Sequence, residues 1–178
     1  MIKLTLILVI VIFLILLCLT IISFISKLSY LNKKVSYAEN LIEDYISKKT
    51  RLLVKLNVSI KKMLRAKKDY LTGVNELNFD ELSNQEKDIK LSEFDVTVNN
   101  LISDYTKLAN SKDICKQINN LNEINEKCDA TKTYFNKYTL KLSQTIKKFP
   151  NNILSKFMKI KIIPLYNTNE SIKKISND

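Results

Sequence analysis

Four side chains of metal-binding type, Glu123, Glu126, Cys128 and Asp129, lie close together in the chain. Glu126 and Asp129 are three apart and share a helical face, so a divalent cation is the first chemistry to weigh. Against it, the chain contains no histidine, which removes the commonest metal ligand and the commonest general base near neutral pH. A solvated acidic face beside a core cysteine accounts for the same residues. One glycine, Gly73, cannot build a phosphate-cradling loop. Tyr134, Phe135 and Tyr138 have the spacing of aromatics packed on a helix. No catalytic residue, cofactor or metal is expected.

The remaining chemistry is electrostatic. There are 29 basic residues against 18 acidic ones, a net charge of +11. Lys61, Lys62, Arg65, Lys67 and Lys68 form a dense cluster, and Lys147 and Lys148 another, followed by Lys156, Lys159 and Lys161. Such patches suit an acidic partner, anionic lipid or nucleic acid. Only Arg51 and Arg65 are arginines, and base-specific readout leans on bidentate arginine, so nucleic acid is disfavoured. A lysine-rich solvated surface, inflated by AT-rich codons, is the plain alternative.

The elements that must position these residues are helical. One glycine and two prolines cannot furnish the turns of a hairpin-rich β fold, whereas long helices need neither. Leu4 to Ser26 carries no charge, and about 23 residues at about 1.5 Å each cross a hydrocarbon core of about 30 Å. A cleaved signal peptide would have a shorter apolar core and a small-residue cleavage site, and neither is present. Lys27, Lys33 and Lys34 outweigh Lys3, which places the short N-terminus outside and the large domain in the cytoplasm. Three cysteines without evident partners suit that compartment, since Cys115 and Cys128 on one helix would stand about 20 Å apart, too far to bridge.

Beyond the span, three segments show coiled-coil spacing. The first runs through Val35, Ala38, Ile42, Tyr45, Leu52, Leu56 and Met63, with Lys49 and Ser59 breaking the seam. The second takes Leu91, Phe94, Val98, Leu101, Tyr105 and Leu108, and the third Ile114, Leu121, Cys128, Phe135, Leu142 and Phe149 at strict seven-residue intervals. Thr72-Gly73 can end the first helix, Asp80 can cap the second, Asn110-Ser111 separates the second from the third, and Pro150 turns the chain after it. The expected fold is all-α: an N-terminal transmembrane helix continuous with a long antiparallel three-helix coiled-coil-like bundle. The first helix climbs, the second returns and the third climbs again, which gathers the two lysine clusters at one basic tip away from the membrane. The segments are a 1–26 anchor, a 27–166 bundle and a polar 167–178 tail.

The chain resembles the LemA family of membrane-anchored helical proteins. Phe135-Asn136, Phe149-Pro150, Asn152, Pro164 and Tyr166 stand at the intervals of that family's C-terminal pattern. Val35, Ala38, Ile42, Lys48-Lys49 and Leu52-Leu53 echo its first helix, and Tyr105 and Leu108 its Tyr-Pro-x-Leu turn. Val54 and Thr106 replace two family prolines, Leu142-Ser143 replaces a second Tyr-Asn pair, and Lys132 replaces an arginine. The resemblance implies a cytoplasmic bundle on a short-N-terminus-outside anchor, with no agreed biochemical activity. The expected function is a non-enzymatic scaffold or interaction protein with an unidentified protein partner, self-association being open because heptad seams can join two copies. The alternative is a basic tether whose distal tip binds anionic lipid or nucleic acid.

Overall fold

The structure is a computed structural model that describes residues 2–65, 70–74 and 82–166. Every regular element among them is a helix: α1 (Ile2–Leu64), α2 (Asn84–Asp104), α3 (Thr106–Ala109), α4 (Lys112–Ile146) and α5 (Asn151–Phe157). The expected anchor is continuous with the first bundle helix, because nothing in α1 removes a backbone donor or favours positive φ. It stops at Arg65, whose φ is 49°. Gly73 is not the stop; it occupies a later turn at φ 96°, open to a residue without Cβ.

Ser83 starts α2 with a capping box. Its hydroxyl accepts from the Glu86 backbone N–H, and the Glu86 carboxylate accepts from the Ser83 N–H at 2.9 Å. Asp80, the expected cap, lies outside the described residues. At Tyr105 the backbone turns extended, with φ −121° and ψ 95°, which separates α2 from α3. Ser111 opens α4, its hydroxyl accepting from the Ile114 N–H at 3.4 Å.

The chain divides into two compact units, residues 1–37 with 134–165 and residues 38–133 with 166–178. In the second, hydrogen bonds and ion pairs fix the helix directions. Ser59 meets Gln117 at 3.0 Å, Asp95 meets Asn125 at 3.1 Å, and Asp88 meets Lys132 at 2.7 Å. Numbers fall along α4 as they rise along α1 and α2, so α4 is antiparallel to both. Between α1 and α2 they rise together: Glu43 and Ile46 flank Asn84, Lys49 pairs with Asp95, and Met63 and Leu64 flank Tyr105. The antiparallel three-helix arrangement is present, but α2 runs with α1 instead of returning beside it. The connection from 65 to 83 makes this possible, since its contour of up to about 60 Å exceeds the roughly 31 Å of α2.

Buried apolar residues of the second unit are Ala38, Ile42, Ile46, Leu53, Leu56 and Ile60 on α1, Leu91, Val98 and Leu101 on α2, Leu108 on α3, and Ile114, Leu121 and Cys128 on α4. Each large one contributes about 1.5–3 kcal/mol. Leu71 and Val74 are buried too, and Leu71 N–H donates to the Asn57 side chain at 3.3 Å. The first seam therefore passes through Ile46, Lys49, Leu53 and Ile60 instead of Tyr45, Leu52 and Met63. In the first unit the buried apolar set is Leu28, Leu31 and Val35 on α1 and Phe135 and Leu142 on α4.

Candidate functional site

The inner face of α2 carries Asp88, Leu91, Asp95 and Val98 at steps of three and four, so two carboxylates two turns apart enter the interior of the second unit. Each meets one lysine. Lys49 of α1, 4% exposed, places its Nζ 2.5 Å from Asp95 Oδ2, to which Asn125 donates as well. Lys132 of α4, 5% exposed, holds Asp88 Oδ2 at 2.7 Å and Asp129 Oδ1 at 3.0 Å. Cys128 lies near both pairs, and Tyr166 closes the layer with a hydrogen bond to Asn84.

Burial governs the electrostatics of this layer. It raises the Asp95 carboxyl above the usual range, with Lys49 pulling the other way. Burial disfavours the Lys132 ammonium, but Cys128, Asp88 and Asp129 outweigh it and raise that group. The Cys128 thiol is pushed up to about 11, again chiefly by burial. Burial, with Glu39 and Asp88 nearby, raises the Tyr166 phenol as well. Asp95 Oδ1 is buried without a hydrogen-bond partner, the one incomplete point of an otherwise paired layer.

An open groove of about 600 Å³ runs over the layer, lined by Lys49, Asp88, Asp95, Cys128 and Asp129 among others. Its chemistry is limited by the pairing: both lysines are committed to carboxylates, and a thiol held protonated is a poor nucleophile. What the arrangement does is fix α2 against α1 and α4, because sliding α2 by a turn would strand Lys49 and leave Lys132 with Asp129 alone. Elsewhere Glu123 pairs with Lys127 at 2.5 Å on the surface.

The residues expected at a basic tip are divided between the two units. Lys61, Lys62 and Arg65 belong to the second unit and Lys147 and Lys148 to the first, while Lys67 and Lys68 lie outside the described residues. The part of α4 that accompanies the end of α1 is its start, at Gln117, because α4 is antiparallel. The charge is segregated differently. The first unit holds 11 of the 29 basic residues and none of the 18 acidic ones, which leaves 18 of each in the second.

The family-pattern residues scatter in role. Phe135 is fully buried and Asn136 half-buried. Phe149 is 79% exposed, because α4 ends at Ile146 and the seven-residue seam ends with it at Leu142. Pro150 precedes the first turn of α5. Asn152 is exposed, its side chain accepting from the Ile153 N–H at 2.9 Å, and Pro164 is exposed. Only Tyr166 joins the charge layer. Lys49, Asp88, Asp95 and Lys132 were missed as a set; the available signal was charge recurring on apolar seam positions of three separate helices.

α1 contains one stretch long and apolar enough to cross a membrane, and none of that stretch is buried. No curated protein and no solved structure matches the chain. The model of the LemA family matches residues 38–176, spanning the C-terminal part of α1, all of α2 to α5 and the Tyr166 segment that closes the charge layer, and the chain belongs to the LemA family.

Proposed function

We propose that the protein is a non-enzymatic, single-pass membrane-anchored interaction module, its short N-terminus outside and its bundle in the cytoplasm. The observation that carries the reading is the continuity of α1, a single 63-residue helix that holds both the apolar stretch and the buried core positions from Leu28 to Ile60. Anchor and bundle are thereby coupled with no linker between them. The interior spends its ionisable groups on helix-to-helix pairing, which supports binding over bond-making. Lys27, Lys33 and Lys34 against Lys3 support the orientation, as do free Cys18, Cys115 and Cys128.

The test joins topology to partner capture. A lone cysteine at exposed Asn100, in a chain otherwise free of cysteine, should resist a membrane-impermeant maleimide in intact cells and react after lysis. Labelling of intact cells would reverse the orientation. A photo-crosslinker at exposed Val58 or Val96 should then yield a discrete adduct in living cells. Absence of any adduct from both positions would count against an interaction module.

A further inference from the structure

The short helix α5 is inverted. Its buried residues are the small polar Asn151 and Ser155, one turn apart, whereas Ile153 and Phe157 on the opposite side are 47% and 82% exposed. At 100° per residue the two pairs sit about 200° from each other. A surface helix in water buries the apolar side and exposes the polar one. Here the large hydrophobes face outward, and Phe149, 79% exposed and four residues before Ile153, extends the same series. Ile162 and Leu165 are exposed just beyond α5.

The surroundings of this apolar stripe are cationic. Lys147, Lys148, Lys156, Lys159 and Lys161 are all exposed. The unit that contains them holds 11 basic residues and no carboxylate side chain to neutralise them. The same unit contains the stretch of α1 long and apolar enough to cross a membrane. Outward aromatics and aliphatics flanked by lysine form a surface suited to the headgroup and acyl boundary of an anionic bilayer, where rings enter the apolar layer and ammonium groups meet lipid phosphates. An acidic protein groove would answer the lysines but leaves unexplained why they share a unit with the span.

We infer that the Phe149–Ile153–Phe157 stripe and its lysines dock on anionic phospholipid of the same bilayer that α1 crosses, making a second, peripheral membrane contact. The inference rests on the reading of α1 as a membrane anchor.

Full-length protein carrying a single cysteine at position 157 (Phe157→Cys, the native cysteines replaced) is labelled with an environment-sensitive fluorophore. It is reconstituted into phosphatidylcholine nanodiscs with or without about 30% phosphatidylserine. Spin-labelled lipid should quench position 157 several-fold more than a Val96→Cys control in the anionic discs. Lys147→Glu/Lys148→Glu/Lys156→Glu should bring that quenching down toward the control. Quenching at 157 no greater than at 96 would overturn the docking, and equal quenching in neutral and anionic discs would overturn the role of the lysines. Failure of the chain to co-purify with discs is a separate signal: it would remove the anchor reading itself, and this inference with it.

Discussion

Lys132 on α4 holds Asp88 on α2 at 2.7 Å with only 7% of the lysine side chain exposed, and this contact and its counterpart between Lys49 and Asp95 sit two helical turns apart along α2. Buried pairs of this kind are costly to form and costlier to break, because the surviving partner is left charged in a medium that solvates it poorly. The two levels therefore act as register pins more than as sources of stability.

Breaking one pin should cost more than removing both halves. Lys132→Met is expected to destabilise the solubilised protein by about 3–5 kcal/mol, as it leaves Asp88 buried beside Asp129. Adding Asp88→Leu should recover most of that loss, since apolar residues of similar volume replace such pairs at little cost. Urea unfolding followed by circular dichroism decides the matter. A double variant as unstable as the single one would contradict the register account.

The layer should also give way in alkali. Cys128, Lys132 and Tyr166 all have folded-state values raised above their ordinary ones, so the folded chain keeps protons that the unfolded chain releases. That contribution is complete below the unfolded values and is lost as pH climbs through the folded ones. For Cys128 the window runs from about 9 to about 11, and its full size is about 2–3 kcal/mol. Cys128→Ala should flatten the fall in stability across that window. An unchanged slope would mean the thiol titrates as if in water.

Thiol reactivity at neutral pH supplies an independent check. Cys115 is half-buried at the start of α4, whereas Cys128 is buried in the layer. With Cys18 replaced by Ser, a maleimide should modify Cys115 readily and Cys128 on the order of 100-fold or more slowly, because access to it requires the bundle to open. Comparable rates at both positions would place Cys128 at the surface.

Much of this fold was legible in residue spacing. The all-helical class, the unbroken first helix, the Ser111 start of α4 and the strict seam from Ile114 to Leu142 follow from period and punctuation. The first seam was misplaced because Lys49 was treated as an interruption. Admitting it makes Ile42, Ile46, Lys49, Leu53, Leu56 and Ile60 continuous, each buried. A lysine at a core position is read correctly only when its carboxylate is known, and Asp95 lies 46 residues away on another helix. The direction of α2 was equally out of reach, since a connection as long as 65–83 permits either sense. The inverted face of α5 was visible in the alternation of Asn151, Ile153, Ser155 and Phe157, but only burial reveals which pair looks inward.

The two positions at which this chain departs from family prolines should respond oppositely to restoring them. Tyr105 already has the extended backbone that a following proline demands, with φ −121° and ψ 95°. Thr106 is the first residue of α3, where a helix has no use for the missing N–H. Thr106→Pro should therefore stabilise the protein by about 0.4–1 kcal/mol, by narrowing the unfolded ensemble. Val54 lies in the middle of α1, so Val54→Pro removes an interior hydrogen bond and drives a ring against the preceding turn, at a cost of about 3 kcal/mol or more. Thermal unfolding of the two variants beside the parent separates the cases. If Val54→Pro were as stable as the parent, α1 would have to break near residue 54, and the continuity that couples anchor to bundle would be lost.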